Sequence, residues 1–200
     1  MVRVFFTLML GMLVAGANAA GDAERGKPLT TTCVACHSED GNSPAGSFPN
    51  IAGQHGKYLY KQLKDIQSGA RSAPLMAGQL DNMSDQDLLD IAAFYATQTG
   101  AQGAAKPELA ELGESIYRHG IKRKSIAACS TCHSPSGSGN GPASFPSLAG
   151  QWSEYTEAQL KAFRSGTRNN DGDTRMMRMT AMDLSDDEIA AVASYIRGLR

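Results

Sequence analysis

Apolar side chains recur at helical spacing in two similar stretches of the chain, one after Ser84 and one after Ser185. The apolar positions are Leu88, Ile91 and Tyr95 in the first stretch and Ile189, Val192 and Ile196 in the second. Each serine is followed three positions later by an acidic residue, which is the pattern of a capping box. We therefore predict two amphipathic helices that begin directly after these serines.

The chain is a tandem repeat. The segment 48–54 recurs as 145–151, which is 97 positions later. At the same spacing, the matching pairs are Tyr58 with Tyr155, Gln62 with Gln159, and Ser68-Gly69 with Ser165-Gly166. The stretch 99–107 is rich in Gly and Ala and is predicted to be a linker. We expect two domains, at 20–103 and 104–200, which are called the first and second halves below.

Further helices are predicted in each half. The middle helix carries Leu59, Leu63 and Ile66 in the first half, and Leu160 and Phe163 in the second. Short helices are expected to begin near Asp22 and Pro107, although Pro28 removes a backbone donor and argues against a regular first helix. The Gly- and Pro-rich stretches 40–53 and 134–150 are predicted loops. Because no stretch alternates convincingly between apolar and polar residues, the expected fold class is all-α.

The first 19 residues are expected to be removed. Residues 4–14 are apolar apart from Thr7 and Gly11, and an Ala-Asn-Ala sequence follows at 17–19. This is the pattern of a secretory signal peptide cut after Ala19, and the apolar run is short for a membrane span. An uncleaved membrane anchor is the alternative. The mature chain is therefore expected to be exported and soluble.

Composition raises the question of what fills the interior. The net charge is −1, so a large basic surface for nucleic acid is not expected. Aromatic residues make up only 6% of the chain, which is little for two cores. The four cysteines are too few for a disulfide-dense scaffold.

The cysteines form two copies of one motif, CVACH at 33–37 and CSTCH at 129–133. Cys-x-x-Cys-His is the attachment signature of c-type haem, because cysteines at i and i+3 can both form thioethers to the haem vinyl groups while the histidine faces the iron. The predicted haem-binding cysteines are Cys33, Cys36, Cys129 and Cys132, and the predicted iron ligands beside them are His37 and His133. A zinc site would need four N or S ligands in each half, but the second histidine of each half does not occupy an equivalent position in the repeat. A thioredoxin-like pair would need a βαβ pattern, which the sequence does not show. Structural disulfides would leave the histidines unexplained.

A methionine in each half is the candidate for the second iron ligand. Met76 and Met83 follow the repeated segment in the first half, but Met83 aligns with Leu184 and is interpreted as an apolar residue at the helix start. This leaves Met76, and the local spacing of 101 then selects Met177. Without that register, the equally good candidates in the second half are Met176, Met179 and Met182. The remaining histidines, which are alternatives as ligands, are His55 and His119.

His and Met ligation favours Fe(II) and fills both axial positions, so it favours electron transfer over catalysis at the iron. We expect the carbonyl groups of Pro49 and Pro146 to accept the Nδ1–H of the two histidines, with plain turn prolines as the alternative. Lys122-Arg123-Lys124 is interpreted either as a docking patch for an acidic partner or as a solvated loop.

The two haem motifs, together with FPNIAGQ, FPSLAGQ, LSDDE and the terminal SYIRGLR, resemble the dihaem cytochrome c4 family over essentially the whole chain after residue 19. The resemblance implies two tandem class I cytochrome c domains related by a pseudo-twofold axis, with two covalently bound haem c groups. It also implies a monomeric periplasmic carrier of electrons from the quinol-oxidising bc complex to a terminal oxidase. The alternatives are a haem enzyme such as a dihaem peroxidase and an electron-transfer subunit docked to an oxidase. Peripheral membrane association is also open.

Overall fold

The computed structural model describes residues 20–200, which form two helical halves. The predicted signal peptide at 1–19 lies outside the described residues. The helices of the first half are α1 (Ala23–Leu29), α2 (Val34–His37), α3 (Gly56–Gln67) and α4 (Asp85–Ala96), with a 3-10 turn at Pro74–Met76. Those of the second half are α5 (Pro107–His119), α6 (Ser130–His133), α7 (Ser153–Ser165), α8 (Met176–Ala181) and α9 (Asp186–Arg197), with a 3-10 turn at Lys122–Lys124. Residues 20–200 contain two isolated β-bridges and no strand, so the all-α prediction is confirmed.

The last helix of each half begins where the serine pattern places it. The Ser84 hydroxyl accepts a hydrogen bond from the Asp87 backbone N–H at 3.2 Å, and the Asp87 carboxylate accepts one from the Ser84 N–H at 2.8 Å. Ser185 and Glu188 form the same pair of bonds at 3.2 and 2.8 Å. Both predicted capping boxes are therefore confirmed, and each satisfies backbone donors that a helix start leaves unpaired.

The prediction that Pro28 prevents a regular first helix is wrong, since α1 runs through Pro28 and ends one residue later. Pro28 lies in the last turn and removes one donor only, while the Asp22 carboxylate caps the first turn. The helix is also held by close packing on α4. A Cβ atom at Gly26 would lie 2.0 Å from the Asp90 carbonyl oxygen, so only glycine permits this approach.

The two halves share a packing scheme but differ in their cores. α1 packs on α4 and α3 lies against α4, and α5, α9 and α7 repeat this arrangement. The buried core of the first half is one cluster of Leu59, Ile91, Ala92, Phe94 and Tyr95. The second half has two clusters, one of Ile116, Tyr117, Val192, Ile196 and Leu199, and the other of Ile126, Phe163, Ala181, Leu184 and Ile189.

The halves meet through residues of the repeated loops. The Gln151 side chain donates to the Asn50 carbonyl oxygen at 2.8 Å and accepts from the Asn50 N–H at 2.9 Å. Gln54, which is equivalent to Gln151, makes the same pair of bonds with Ser147 at 2.9 and 2.8 Å. Equivalent residues therefore form equivalent contacts across the junction, as a pseudo-twofold axis requires. None of the helices within 20–200 has both the length and the apolar character needed to cross a membrane.

Candidate haem-binding site

A cavity of about 910 Å³ lies at the junction and is bordered by both halves. Its walls are largely apolar, and both Cys-x-x-Cys-His motifs line it. Each motif forms one helical turn, since the Cys36 N–H donates to the Cys33 carbonyl and the Cys132 N–H donates to the Cys129 carbonyl, both at 3.2 Å. The four cysteines are not joined by disulfides, and each is partly buried. Burial raises the pKa of the Cys129 thiol to about 11.

The two motif histidines are buried and oriented in the same way. His37 Nδ1 lies 3.0 Å from the Pro49 carbonyl oxygen, and His133 Nδ1 lies 2.9 Å from that of Pro146. The predicted contacts with the proline carbonyls are therefore present in both halves. Burial lowers the pKa of both imidazoles, although the carbonyl contact opposes this effect. A neutral imidazole with Nδ1–H bound to a carbonyl leaves Nε2 as the nitrogen that a metal can use.

Only some of the candidate methionines line the cavity. Met76, at the end of its 3-10 turn, and Met177, in α8, both line it. Met176 also lines it, whereas Met179 and Met182 are 64% and 59% exposed and do not. Met83 packs against the core of the first half, in agreement with its interpretation as an apolar residue at a helix start.

The two remaining histidines lie away from the cavity. The His55 side chain approaches the Ser138 carbonyl oxygen through Nε2 at 2.8 Å and so joins the two halves. His119 is exposed in the last turn of α5.

The basic tripeptide at 122–124 is tied to the start of α9. The Lys124 ammonium lies 2.6 Å from one carboxylate oxygen of Glu188, and Arg123 donates to the other at 3.2 Å. Lys124 also donates to the Asp183 carbonyl at 2.8 Å. Arg123 and Lys124 are therefore paired with a carboxylate within the molecule.

Sequence reasoning missed a polar cluster at the cavity wall, in which Gln62 and Arg168 are buried. Its members are Tyr58, Gln62 and Arg71 from the first half and Tyr155, Gln159 and Arg168 from the second. The tyrosine and glutamine pairs served only as evidence for the repeat. Arg71 and Arg168 have the same spacing of 97, and an arginine repeated in this register was the signal available.

These residues fit haem c. Each half offers two cysteine thiols on one helical turn, a histidine oriented by a carbonyl and a methionine at the same cavity. The walls are apolar enough for a porphyrin ring, and the guanidinium groups of Arg71 and Arg168 suit its carboxylates.

Comparison with known proteins supports haem binding. The family model described as cytochrome c matches residues 23–99 and 101–200. Cytochrome c4 from Azotobacter vinelandii is 47% identical over the whole of both chains. The crystal structure of reduced recombinant cytochrome c4 from Pseudomonas stutzeri is 49% identical, with a TM-score of 0.89 over 90% of this chain and 100% of the other.

A relative of a different name also matches. The thiosulfate dehydrogenase electron acceptor from Stutzerimonas stutzeri is 39% identical over 94% of this chain and 89% of the relative. Two haem motifs in register, the all-α tandem fold and these similarities lead to one conclusion. The chain belongs to the cytochrome c family, as an electron-transfer protein of the dihaem cytochrome c4 type with two covalently attached haem c groups.

Proposed function

We propose that this protein carries electrons through the periplasm from a quinol-oxidising bc complex towards a terminal oxidase. The observation that carries the proposal is the matched geometry of the two halves. Each half places a carbonyl-bound histidine and a methionine on the same apolar cavity. The predicted signal peptide supports export, and the resemblance to cytochrome c4 supports the route.

The motifs, the repeat spacing and the shared cavity support one set of site residues. Cys33, Cys36, Cys129 and Cys132 would form the thioethers to haem, and the iron ligands would be His37 with Met76 and His133 with Met177. The domains that carry the two haems are 20–103 and 104–200, and the protein acts as a monomer.

The chain's own residues favour electron transfer. A bound haem supplies a one-electron Fe(III)/Fe(II) couple. His37 and His133 are held neutral and fixed in orientation by the proline carbonyls. The methionine thioethers are soft, neutral donors that favour Fe(II) and raise the reduction potential. With a histidine and a methionine holding the iron in each half, no coordination position would be left for a substrate.

A second electron donor is favoured by one similarity. Since a relative carries the name thiosulfate dehydrogenase electron acceptor, a dehydrogenase that oxidises a sulfur compound is the alternative donor to this chain. The haem ligands and the electron-transfer step are the same in both cases, and only the docking partner differs.

Ligand substitution in the mature, haem-loaded protein tests the site. Met76→Ala and Met177→Ala are each expected to remove about half of the far-red Fe–S(Met) charge-transfer band, while a pyridine haemochrome assay still counts two haems. Met83→Ala and Met179→Ala are the matched controls and are expected to keep the full band. A full band in both ligand variants, or a high-spin iron in the wild type, would overturn the assignment.

Rapid mixing with reduced partners tests the route. Under the main proposal, a reduced bc complex is expected to reduce the wild-type protein faster than a thiosulfate-oxidising dehydrogenase does. The opposite order of rates would replace the bc complex by the dehydrogenase as donor. A free monomer in size-exclusion chromatography without detergent is also expected.

A further inference from the structure

Three methionines follow one another at intervals of three residues along α8. They are Met176, Met179 and Met182, and Met182 still has helical backbone angles at the end of the helix. Their exposed fractions are 46%, 64% and 59%. Single exposed apolar side chains are ordinary, but a contiguous exposed group indicates a site of interaction. The three residues are called the methionine triplet below, and none of them is a proposed iron ligand.

Helical geometry brings the triplet together on one face. Residues three apart in a helix are neighbours, with Cβ atoms about 5–6 Å apart, so Met179 neighbours both Met176 and Met182. Met177 is turned by about 100° from Met176 and packs against the apolar cluster that contains Leu184. Met176 lies between the two faces, because it lines the cavity and is also exposed. The triplet therefore presents its sulfur atoms to solvent, while Met177 is turned inward.

The first half shows that the fold does not require the triplet. At the local repeat spacing of 101, the three positions are occupied in the first half by Leu75, Gly78 and Asp81. These residues share neither size nor polarity, although both halves have the same haem motif and the same capped last helix. The packing of the repeat and the haem motif therefore do not account for three methionines. What the second half has at these positions, and the first half lacks, is the thioether group.

Thioether chemistry favours one class of ligand. The methionine sulfur is a soft, polarisable donor, and soft sulfur ligands select Cu(I), whereas carboxylates suit Mg²⁺ and Ca²⁺. A thioether has no proton to lose, so metal binding to it needs no deprotonation, in contrast to binding by a thiol. It also cannot form a disulfide. It would therefore remain a ligand in the oxidising compartment to which the predicted signal peptide would direct the chain.

The charges around the triplet do not oppose a monovalent cation. The Arg178 guanidinium is bound by the Asp171 carboxylate at 2.6 Å, and Lys124 is paired with a carboxylate as well. Arg175 and Asp183, which flank the triplet in the sequence, form no ion pair within residues 20–200. Since these two carry opposite charges, the flanking charge is balanced, and selectivity falls to the sulfur atoms.

We propose that Met176, Met179 and Met182 bind one Cu(I) ion through their three thioether sulfurs. Methionine side chains are unbranched and flexible, so the three sulfurs can turn toward one point above the helix face. The site is separate from the proposed iron ligand Met177, which points to another side of α8. It goes beyond the proposed function, because it requires neither electron transfer nor a redox partner.

Equilibrium dialysis of the mature, haem-loaded protein tests the site. The reduced protein is dialysed without oxygen against Cu(I) held in solution by acetonitrile, and bound copper is counted by atomic emission. The wild type is expected to bind one equivalent of Cu(I). The double variant Met179→Leu/Met182→Leu keeps apolar side chains of similar volume and is expected to lose this equivalent. No bound copper in the wild type, or equal binding by the double variant, would overturn the proposal.

Two controls accompany the dialysis. Met83→Leu is the matched control variant, since Met83 packs against the core of the first half, and it is expected to bind as much Cu(I) as the wild type. Zn²⁺ is the matched control ion and is expected not to bind to the triplet, because it prefers imidazole, thiolate and carboxylate ligands. Loss of copper in Met83→Leu would contradict the assignment. So would Zn²⁺ binding that the double variant abolishes.

A redox-inert probe distinguishes the triplet from the proposed iron ligand. Ag(I) is a soft monovalent ion like Cu(I), and it can be added to the oxidised protein. It is expected to shift the methyl NMR signals of Met179 and Met182 and to leave the far-red Fe–S(Met) band unchanged. Loss of that band on addition of Ag(I) would show that the ion takes Met177 from the iron, and unshifted methyl signals would show that the triplet binds nothing. Either result overturns the proposal, and neither needs a variant that folds.

Discussion

The two halves place the same proposed ligand set on different supports. Met76 ends a short 3-10 turn, and its neighbour Leu75 is 70% exposed. Met177 lies in α8 and packs against the second apolar cluster of its half, which contains Phe163 and Leu184. The first half has one buried cluster, whereas the second has two. A repeated sequence motif therefore does not guarantee an equally supported site.

The halves also use different ion pairs to secure the last helix. In the first half, the buried Asp90 of α4 accepts hydrogen bonds from Arg25 of α1 at 2.9 and 3.2 Å. In the second half, the spacing of 101 places Ala191 at the position of Asp90. There, Glu188 at the start of α9 binds Lys124 instead. The ion pair therefore joins α4 to α1 in the first half, and α9 to the 3-10 turn at Lys122–Lys124 in the second.

Loss of haem attachment is expected to have the largest effect on stability, and to affect the first half more than the second. Replacing Cys33 and Cys36 by alanine leaves the first half with one small cluster beside a large cavity, so we expect its helices to lose nearly all protection from hydrogen exchange. Replacing Cys129 and Cys132 is expected to leave partial protection in α9, because two clusters remain. Mass-spectrometric hydrogen exchange, read separately for each half, measures this. Native-like protection of both haem-free halves would contradict the role of haem as core.

Truncating the apolar residue before the last helix is expected to have the next largest effect. Leu184 is 5% exposed, so Leu184→Ala is expected to reduce the free energy of unfolding by about 3 kcal/mol. The equivalent Met83 is only partly buried, and Met83→Ala is expected to cost about 1 kcal/mol. Guanidinium denaturation of the haem-loaded proteins measures both values. Equal losses would show that the second cluster adds no stability of its own.

Acid is expected to have the smallest effect and to act through Asp90 in the first half. Asp90 accepts hydrogen bonds from the Arg25 guanidinium, the Asp22 backbone N–H and the Gln86 side chain. Together these outweigh the effect of burial and lower the pKa of Asp90 from 3.8 to about 2. A carboxyl with a depressed pKa stabilises the folded state fully above its unfolded pKa. This contribution, about 1 kcal/mol because Arg25 is exposed to solvent, is lost as the pH falls from about 4 to 2.

The variant Asp90→Asn isolates this contribution. It is expected to be less stable than the wild type at neutral pH and to approach it near pH 2, when thermal unfolding is followed by circular dichroism. A stability difference that stays constant across this pH range would show that Asp90 acts by packing alone. The second half lacks this carboxyl, so Ala191→Ser serves as its pH-independent control.

The sequence predicted the last helix of each half and the two haem motifs well because their signals are local. A capping box needs residues three positions apart, and a haem motif needs five consecutive residues, so both are visible in the chain itself. Pro28 was misjudged because the packing of Gly26 against α4 is not local. The contacts of Arg123 and Lys124 with Glu188 were also missed, since Glu188 lies far along the chain.

By itself, the sequence determined an all-α tandem repeat with two Cys-x-x-Cys-His motifs, two capped terminal helices and a proline carbonyl contact for each motif histidine. Only the tertiary structure decided that Met179 and Met182 lie away from the cavity while Met76 and Met177 line it. It also decided that Arg71 and Arg168 cross the junction to share two glutamine oxygens. The physical reason is that burial, close packing and charge compensation depend on residues brought together from distant parts of the chain, and no spacing along the sequence records those distances.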